Sequence, residues 1–254
     1  MKRIQDFRLI ENIRFNDNYS LLRLKTADGS SLPEILPGQF VQVAIETPGV
    51  FLRRPISINN VESADTLSLL VRRAGNGTEW LVGLETGHII NLLLPLGNGF
   101  STSVSPDERV LLVGGGVGVA PLLYLGRYLK SKGICPEYLV GARSRSDLLQ
   151  IETLEGIGNV HACTEDGTQG VKGFVTAHPV LNEKVNRIFC CGPAPMMKAV
   201  AAIARERGID CEVSLENMMA CGLGACLCCV EKTVKGNVCV CTEGPVFKIN
   251  QLTW

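Results

Sequence analysis

No stretch of this 254-residue chain is long and apolar enough to span a bilayer as a helix. One run without a charge, Val110–Gly126, has 17 residues and contains five glycines and Pro121, against about 20 apolar residues for a crossing. It reads as a buried strand, a glycine-rich turn and a helix. Surplus charge is also missing. The 25 Lys and Arg balance 25 Asp and Glu, and no basic run occurs, so nothing neutralises a phosphate backbone and nucleic acid is not an expected partner. Met1–Phe15 holds Asp6 and Glu11 and no apolar core of signal-peptide length; export is not expected. There are three histidines, His88, His161 and His178. No Ser-His-Asp set or carboxylate pair stands out, and surface or structural roles are their default. Internal repeats and low-complexity tracts are absent from the sequence.

What is present is hydrophobic mass. With 46% hydrophobic and 20% charged residues and a mean hydropathy of +0.18, the chain lies far from the disordered regime. Its length predicts two compact units and room for a small third. Of 11 cysteines, Cys221, Cys226, Cys228, Cys229, Cys239 and Cys241 fall between positions 221 and 241. Such crowding, without a leader, predicts metal ligation in a reducing, cytoplasmic compartment rather than a disulfide framework.

Residues 1–102 form a first region of short alternating or apolar runs broken by turns: Ser20–Lys25, Gln39–Ile45, Pro55–Asn59, Thr66–Arg73 and His88–Leu94. That spacing predicts a small antiparallel β-barrel. One helix interrupts it over Glu79–Gly83, with the Thr78 hydroxyl as the expected cap. Across 103–214 strand and helix alternate, predicting an α/β domain with a parallel sheet. Strands are expected at Val110–Val113, Glu137–Val140, Arg187–Cys190 and Cys211–Ser214, and helices at Val119–Lys130 and Pro195–Arg207. The remainder, 215–254, is too short and too cysteine-rich for its own core and needs a metal staple.

Glycines follow the first strand of the α/β region. Gly114-Gly115-Gly116-Val117-Gly118 lets the backbone approach a ligand and then opens a helix whose free amides and dipole suit a pyrophosphate. The spacing is not the strict G-x-G-x-x-G of the commonest dinucleotide fingerprint. A second turn, Cys190-Cys191-Gly192-Pro193-Ala194-Pro195-Met196-Met197, also opens a helix. Turns at the carboxyl ends of parallel strands line one crevice. Between them, Thr164-Glu165-Asp166-Gly167-Thr168 with Gly170 and Gly173 is a polar loop of a kind that closes over ligands.

These strings resemble the ferredoxin-NADP reductase superfamily. The resemblance implies that Cys191 lies beside a nicotinamide, as the residue nearest the chemistry, and that the first glycine turn holds NAD(P) phosphates. In the barrel region, Arg54-Pro55-Ile56-Ser57 resembles the superfamily's R-x-Y-S flavin motif, with Ile56 where Tyr is usual. An aliphatic contact then replaces an aromatic stack. Leu70-Val71-Arg72 would pass the flavin ring, and Gly75-Asn76-Gly77-Thr78 matches the G-x-G-T element, a second pyrophosphate cradle. Structure alone would make Arg53 and Arg54 edge charges and the glycines a hairpin turn.

Cys221, Cys226 and Cys229 give C-x4-C-x2-C, with Cys241 as a fourth thiolate: the plant-type spacing for a 2Fe-2S centre. Gly222, Gly224 and Ala225 keep the loop small, so amides can turn toward sulfur. Zinc also accepts four thiolates, yet zinc ribbons usually pair two C-x2-C knuckles, and the second half here is Cys239-Val-Cys241. Cys228 and Cys239 are surplus, and either could replace a neighbour. The stretch Glu216–Cys226, with Val240–Phe247, is similar to the electron-transfer subunits of class 1B NAD-dependent dihydroorotate dehydrogenases, and the resemblance covers essentially the whole chain. It implies FAD, a 2Fe-2S cluster and NAD on this subunit, and a separate FMN-containing dihydroorotate dehydrogenase catalytic subunit as partner. Ferredoxin:NADP transhydrogenase and sulfide dehydrogenase subunits share these modules, and a zinc-stapled adaptor is a third class. Arg143 and Arg145 follow the second strand, where a basic residue suits a 2′-phosphate and an acidic one a 2′-hydroxyl. Leu215, Met218, Met219, Leu223, Leu227 and Phe247 are expected either to face the partner or to pack on this chain's own nucleotide domain.

Overall fold

The computed structural model describes residues 2–254. The first six strands are β1 (Arg3–Asn16), β2 (Tyr19–Thr26), β3 (Phe40–Val43), β4 (Arg54–Ser63), β5 (Thr66–Arg72) and β6 (Ile89–Leu96). They close an antiparallel barrel in the order β1-β2-β5-β4-β3-β6. Alternation places Phe7, Leu9, Leu22, Leu24, Val41, Val43 and Ile58 in one apolar interior, because successive side chains of a strand point to opposite faces. β1 was not among the expected strands. Its outward Asp6, Arg8 and Glu11 break up the apolar signal, while Gln5, Phe7 and Leu9 carry the inward face.

The short helix α1 (Asn76–Val82) follows β5. Its cap differs from the expected one: Gly75 takes the cap position. Thr78 sits in the first turn and its hydroxyl accepts from the Ala74 and Gly75 amides, at 2.8 and 3.1 Å. Thr78 thus ties the loop to the helix from inside rather than starting it.

A second sheet contains β7 (Val110–Gly115), β8 (Glu137–Ala142), β9 (Asn159–Thr164), β10 (Val171–Lys172), β11 (Arg187–Cys191) and β12 (Asp210–Ser214). These six pair in parallel. Helix α2 (Ala120–Ser131) covers one face and α4 (Ala194–Arg207) the other, with the short α3 (Ile151–Glu155) between β8 and β9. β7 lies between β8 and β11, so the carboxyl ends of β7 and β11 are neighbours at the point where connections diverge to both sides, the ordinary ligand crevice of open α/β sheets.

The cysteine segment forms a hairpin, β13 (Val230–Thr233) and β14 (Gly236–Cys239), the one-turn helix α5 (Val240–Glu243) and β15 (Val246–Lys248). β15 joins the large sheet antiparallel to β12, as its seventh strand. Val240, Cys241, Phe247, Ile249 and Leu252 share a core with α4 and with Phe40 and Leu96 of the barrel. The segment's apolar residues are too few for a core of their own and share this one. The six expected apolar positions divide. Leu215 and Phe247 are buried and Met219 packs on that core, whereas Met218, Leu227 and Leu223 are 84%, 65% and 49% exposed. No described helix is long and apolar enough to cross a membrane.

Candidate functional site

A cavity of about 730 Å³ opens between the barrel and the carboxyl end of the parallel sheet. Tyr19 and Arg72 line it from the barrel, Gly115–Val117 and Gly192, Pro193 and Pro195 from the two glycine turns, and Glu216 from the start of the cysteine segment. The two turns, 77 residues apart between Gly115 and Gly192, thus meet at one site. Neither α2, entered through a helical turn at Gly116–Val119, nor α4 has a side chain capping its first amides. Two helix starts without side-chain caps on one cavity suit an anion through the helix dipole and the amides of the turns that precede them.

The structure divides labour among the glycines. A Cβ on Gly114 would press on Val119 and Leu122, and one on Gly118 would overlap the Cys191 carbonyl; both permit close packing. Gly115 and Gly116 border the cavity. Gly116 adopts φ +53 with nothing nearer to its missing side chain than the Tyr19 hydroxyl at 3.7 Å, so its backbone faces open space.

Cys191 ends β11 opposite Gly114 and Ser214. Its side chain is 1% exposed and lies beneath the cavity lining formed by Gly192 and Pro193. Burial first, and the Glu216 carboxylate second, push its thiol well above the ordinary range, against a hydrogen bond with Ser214. It is a neutral thiol. Glu216, which sequence reasoning quoted only within a motif, reaches the cavity, and its carboxyl pKa is raised by the surrounding protein and partly restored by Arg72.

On the barrel, β4 pairs with β5 only from Ile58 opposite Leu69 onward. Arg54–Ser57 and Leu70–Arg72 therefore splay apart, leaving facing strand edges unpaired between them. Pro55 and Ser57 bond toward β3 instead. The side chains of Leu70 and Val71 are buried in separate cores, so only their backbone can meet a ligand in the gap. The Arg54 guanidinium lies over Gly77 at the start of α1, where a Cβ would come within 2.9 Å of Nε. Arg54, Pro55, Ile56, Ser57, Gly75, Gly77 and Thr78 stand outside the large cavity lining. Arg53 is different: it donates to the Gln42 and Asn91 carbonyls at 3.1 and 3.2 Å.

In the cysteine loop the amides turn toward sulfur. Leu223 N donates to Cys221 Sγ at 3.3 Å, Gly224 N to Cys241 Sγ at 3.1 Å, and Cys241 N to Cys229 Sγ at 3.4 Å. Gly222, Gly224 and Leu227 all have positive φ, +70, +84 and +56, which bends the loop into this inward arrangement. Donation from Leu223 and Cys226 lowers the Cys221 pKa to about 6, a thiolate at neutral pH. Burial and the neighbouring Cys229 push Cys241 up to about 12. Cys239 donates instead to the Gly224 carbonyl at 3.8 Å, and Cys228 is exposed. Amide donors to three of the four cysteine sulfurs, Cys221, Cys229 and Cys241, fit an anionic iron–sulfur centre. Among the described residues no three Cys, His, Asp or Glu side chains surround a single point at one-ion spacing.

The polar loop after β9 is braced: Thr164 Oγ1 donates to Gln169 O at 2.8 Å, and Asp166 accepts from Thr168 N at 2.9 Å. Glu165 and Gly173 line the cavity beside Arg143 and Asp147. The histidines are structural. His88 packs edge-on against Trp80, His161 bonds Glu137, and His178 caps a turn at Val180.

A barrel and a parallel sheet sharing one cavity, with an amide-lined cysteine loop attached, define an electron-transferring flavin reductase with an iron–sulfur segment. Residues 216–253 match the iron–sulfur cluster binding domain of dihydroorotate dehydrogenase B. The electron transfer subunit of dihydroorotate dehydrogenase B (NAD(+)) from Shouchella clausii is 39% identical over 226 residues, 85% of this chain and 86% of that protein. Its counterpart from Fusobacterium nucleatum is 34% identical over 256 residues, 96% of each. Among solved structures, a chain of an NADH-dependent reduced ferredoxin-NADP oxidoreductase superposes with a TM-score of 0.86 at 27% identity, covering 98% of this chain and 90% of its own. The chain belongs to the family of dihydroorotate dehydrogenase B (NAD(+)) electron transfer subunits. Its cofactors are FAD, a 2Fe-2S cluster and NAD, and as an electron transfer subunit it works with a catalytic partner. The iron–sulfur match displaces the zinc-adaptor reading.

Proposed function

We propose that the chain carries electrons from an FMN-containing subunit that oxidises dihydroorotate to NAD+, in the cytoplasm, as a step of pyrimidine biosynthesis. A nicotinamide exchanges hydride and an iron–sulfur centre single electrons, and a flavin handles both, so FAD belongs between them. The observation carrying this reading is the shared cavity: Arg72 of the barrel, both nucleotide turns and Glu216 of the cysteine segment meet there.

In this reading residues 1–102 hold FAD, 103–214 NAD and 215–254 the cluster. Arg54, Gly75, Gly77 and Thr78 grip the FAD pyrophosphate. Pro55, Ile56 and Ser57, with the backbone of Leu70, Val71 and Arg72, border the flavin ring in the gap between β4 and β5. Gly115, Gly116, Gly192 and Pro193 receive NAD, with Gly114 and Gly118 holding that turn in shape. Cys191 supports the nicotinamide pocket from below as a thiol. Cys221, Cys226, Cys229 and Cys241 ligate the cluster. Glu165 follows β9 as Arg143 follows β8, and the Glu165 amide bonds the Ala142 carbonyl at 3.0 Å. Glu165 and Asp147 line the cavity together with Arg143, and acidic groups there disfavour a 2′-phosphate, which supports NAD.

The test is to purify the chain, measure flavin, iron and sulfide, and assay dihydroorotate-dependent NAD+ reduction with and without the FMN subunit. NADH oxidation by an artificial acceptor is expected from the chain alone, with kcat/KM for NADH above that for NADPH. Dihydroorotate oxidation is expected only with the partner. Full activity without it would place the substrate site in this sequence and refute the reading. A preference for NADPH would overturn the NAD assignment, in the direction of the transhydrogenase type.

A further inference from the structure

Gln42 is fully buried, and neither its Oε1 nor its Nε2 has a hydrogen-bond partner. Alternation along β3 explains its place. Val41 and Val43 enter the barrel interior, so Phe40 and Gln42 point outward, a face that is ordinarily wet. Here the cysteine segment covers it: Phe40 packs in the core that holds Val240, Cys241 and Phe247. Gln42 lies against Gly222, where a Cβ would come within 2.8 Å of its Cγ and 3.1 Å of its Nε2. Gly222 follows Cys221 and holds φ +70, so the loop approaches Gln42 closely because no side chain intervenes.

In the sheet Gln42 pairs with Leu93 of β6 on one side and with the flavin strand on the other. Its carbonyl accepts from Arg53 at 3.1 Å, and it stands opposite Pro55 of β4. Leaving a buried carboxamide unpaired costs on the order of 1–3 kcal/mol, and a leucine would fill the same space without that cost. A primary amide kept dry against Gly222, the neighbour of Cys221, therefore has N–H groups that no other group of the chain takes up.

We propose that the Gln42 carboxamide donates a hydrogen bond from Nε2 to the sulfur shell of the iron–sulfur centre, and that this raises the centre's reduction potential. The inference rests on the cofactor reading above. The sign follows from charge: reduction makes the centre more negative, and a donor at sulfur stabilises the more negative form. Gln42 is a positioning and tuning residue here, not a ligand.

The experiment compares the wild-type chain with Gln42→Leu and Gln42→Met, both near it in volume and without an N–H. Iron, sulfide and flavin are measured first, and the potentials of the cluster and of FAD are then titrated separately. Both variants are expected to keep their cofactors and to lower the cluster potential by up to a tenfold change in the one-electron equilibrium, about 59 mV, with the FAD potential unmoved. An unchanged cluster potential, or equal shifts of both centres, overturns the inference while leaving the cofactor reading intact. Absence of iron from the wild-type chain removes both. Should the variants lose the centre, wild-type protein carrying glutamine labelled with 15N at the side-chain amide decides. A 15N coupling to the reduced cluster by electron–nuclear double resonance supports the hydrogen bond, and its absence refutes it.

Discussion

Arg53 and Arg54 are adjacent and chemically identical, yet the barrel gives them different surroundings. Arg53 turns back to bond carbonyls of β3 and β6. Arg54 reaches only the Leu52 and Arg53 carbonyls on its own chain and lies over Gly77, which leaves guanidinium donors for a phosphate. Arg54→Ala is therefore expected to weaken FAD retention roughly ten- to hundredfold, the equivalent of about 1.5–3 kcal/mol for hydrogen bonds to a charged group, with little change in the Tm of the flavin-free chain. Arg53→Ala should do the reverse, lowering Tm and sparing affinity. Flavin titration and thermal unfolding of both variants check this, and equal losses of FAD would show that the two side chains share the phosphate.

Helix α2 can lie close on the sheet because of one glycine. The fully buried Tyr138 of β8 ends in a hydroxyl with no partner, and a Cβ on Gly126 of α2 would overlap that hydroxyl. Gly126→Ala is expected to destabilise by about 1–3 kcal/mol, as overpacking does. Tyr138→Phe removes an unpaired polar atom and should be neutral or mildly stabilising. Because the hydroxyl makes the closest approach while the ring Cζ stays at 2.8 Å, the double variant should recover part of the loss rather than sum the two changes. Denaturant unfolding of all four chains measures the coupling. Strict additivity would mean that the helix shifts instead of meeting the hydroxyl.

At the scale of the whole molecule, the small cysteine-rich domain is strapped onto the rest of the chain. β15 covers the edge of β12, Leu215 N donates to the Pro245 carbonyl at 2.9 Å, and Asn98 of the barrel side bonds the Thr242 and Glu243 carbonyls, each at 3.0 Å. A chain ending at Ser214 would expose both the β12 edge and the α4-side core, and exposed edges of that kind pair between molecules. Such a truncation is expected to aggregate or lose its cooperative unfolding transition, checked by light scattering and circular dichroism. A monomeric, cooperatively folded product would show that 103–214 closes its own core. Met218, Leu223 and Leu227, close to the cysteines in sequence, are exposed on this segment.

Some of this was readable from local sequence and some was not. The glycine turns, the proline-led helix starts and the C-x4-C-x2-C spacing act within a few residues, and each requires particular backbone angles or ligand spans that few other sequences supply; so barrel, parallel sheet and cluster loop could be placed in order. β1 escaped because charges on its outer face hid a two-residue period. Which glycine faces the cavity, which arginine is free, why Glu216 meets Arg72 and why Gln42 is dry beneath Gly222 depend on contacts between segments far apart in the chain. Those contacts are set by barrel closure and by the seventh strand returning to the sheet. Local patterns carry the conformational preferences of a segment, whereas burial and the pairing of polar groups exist only once distant segments have packed together.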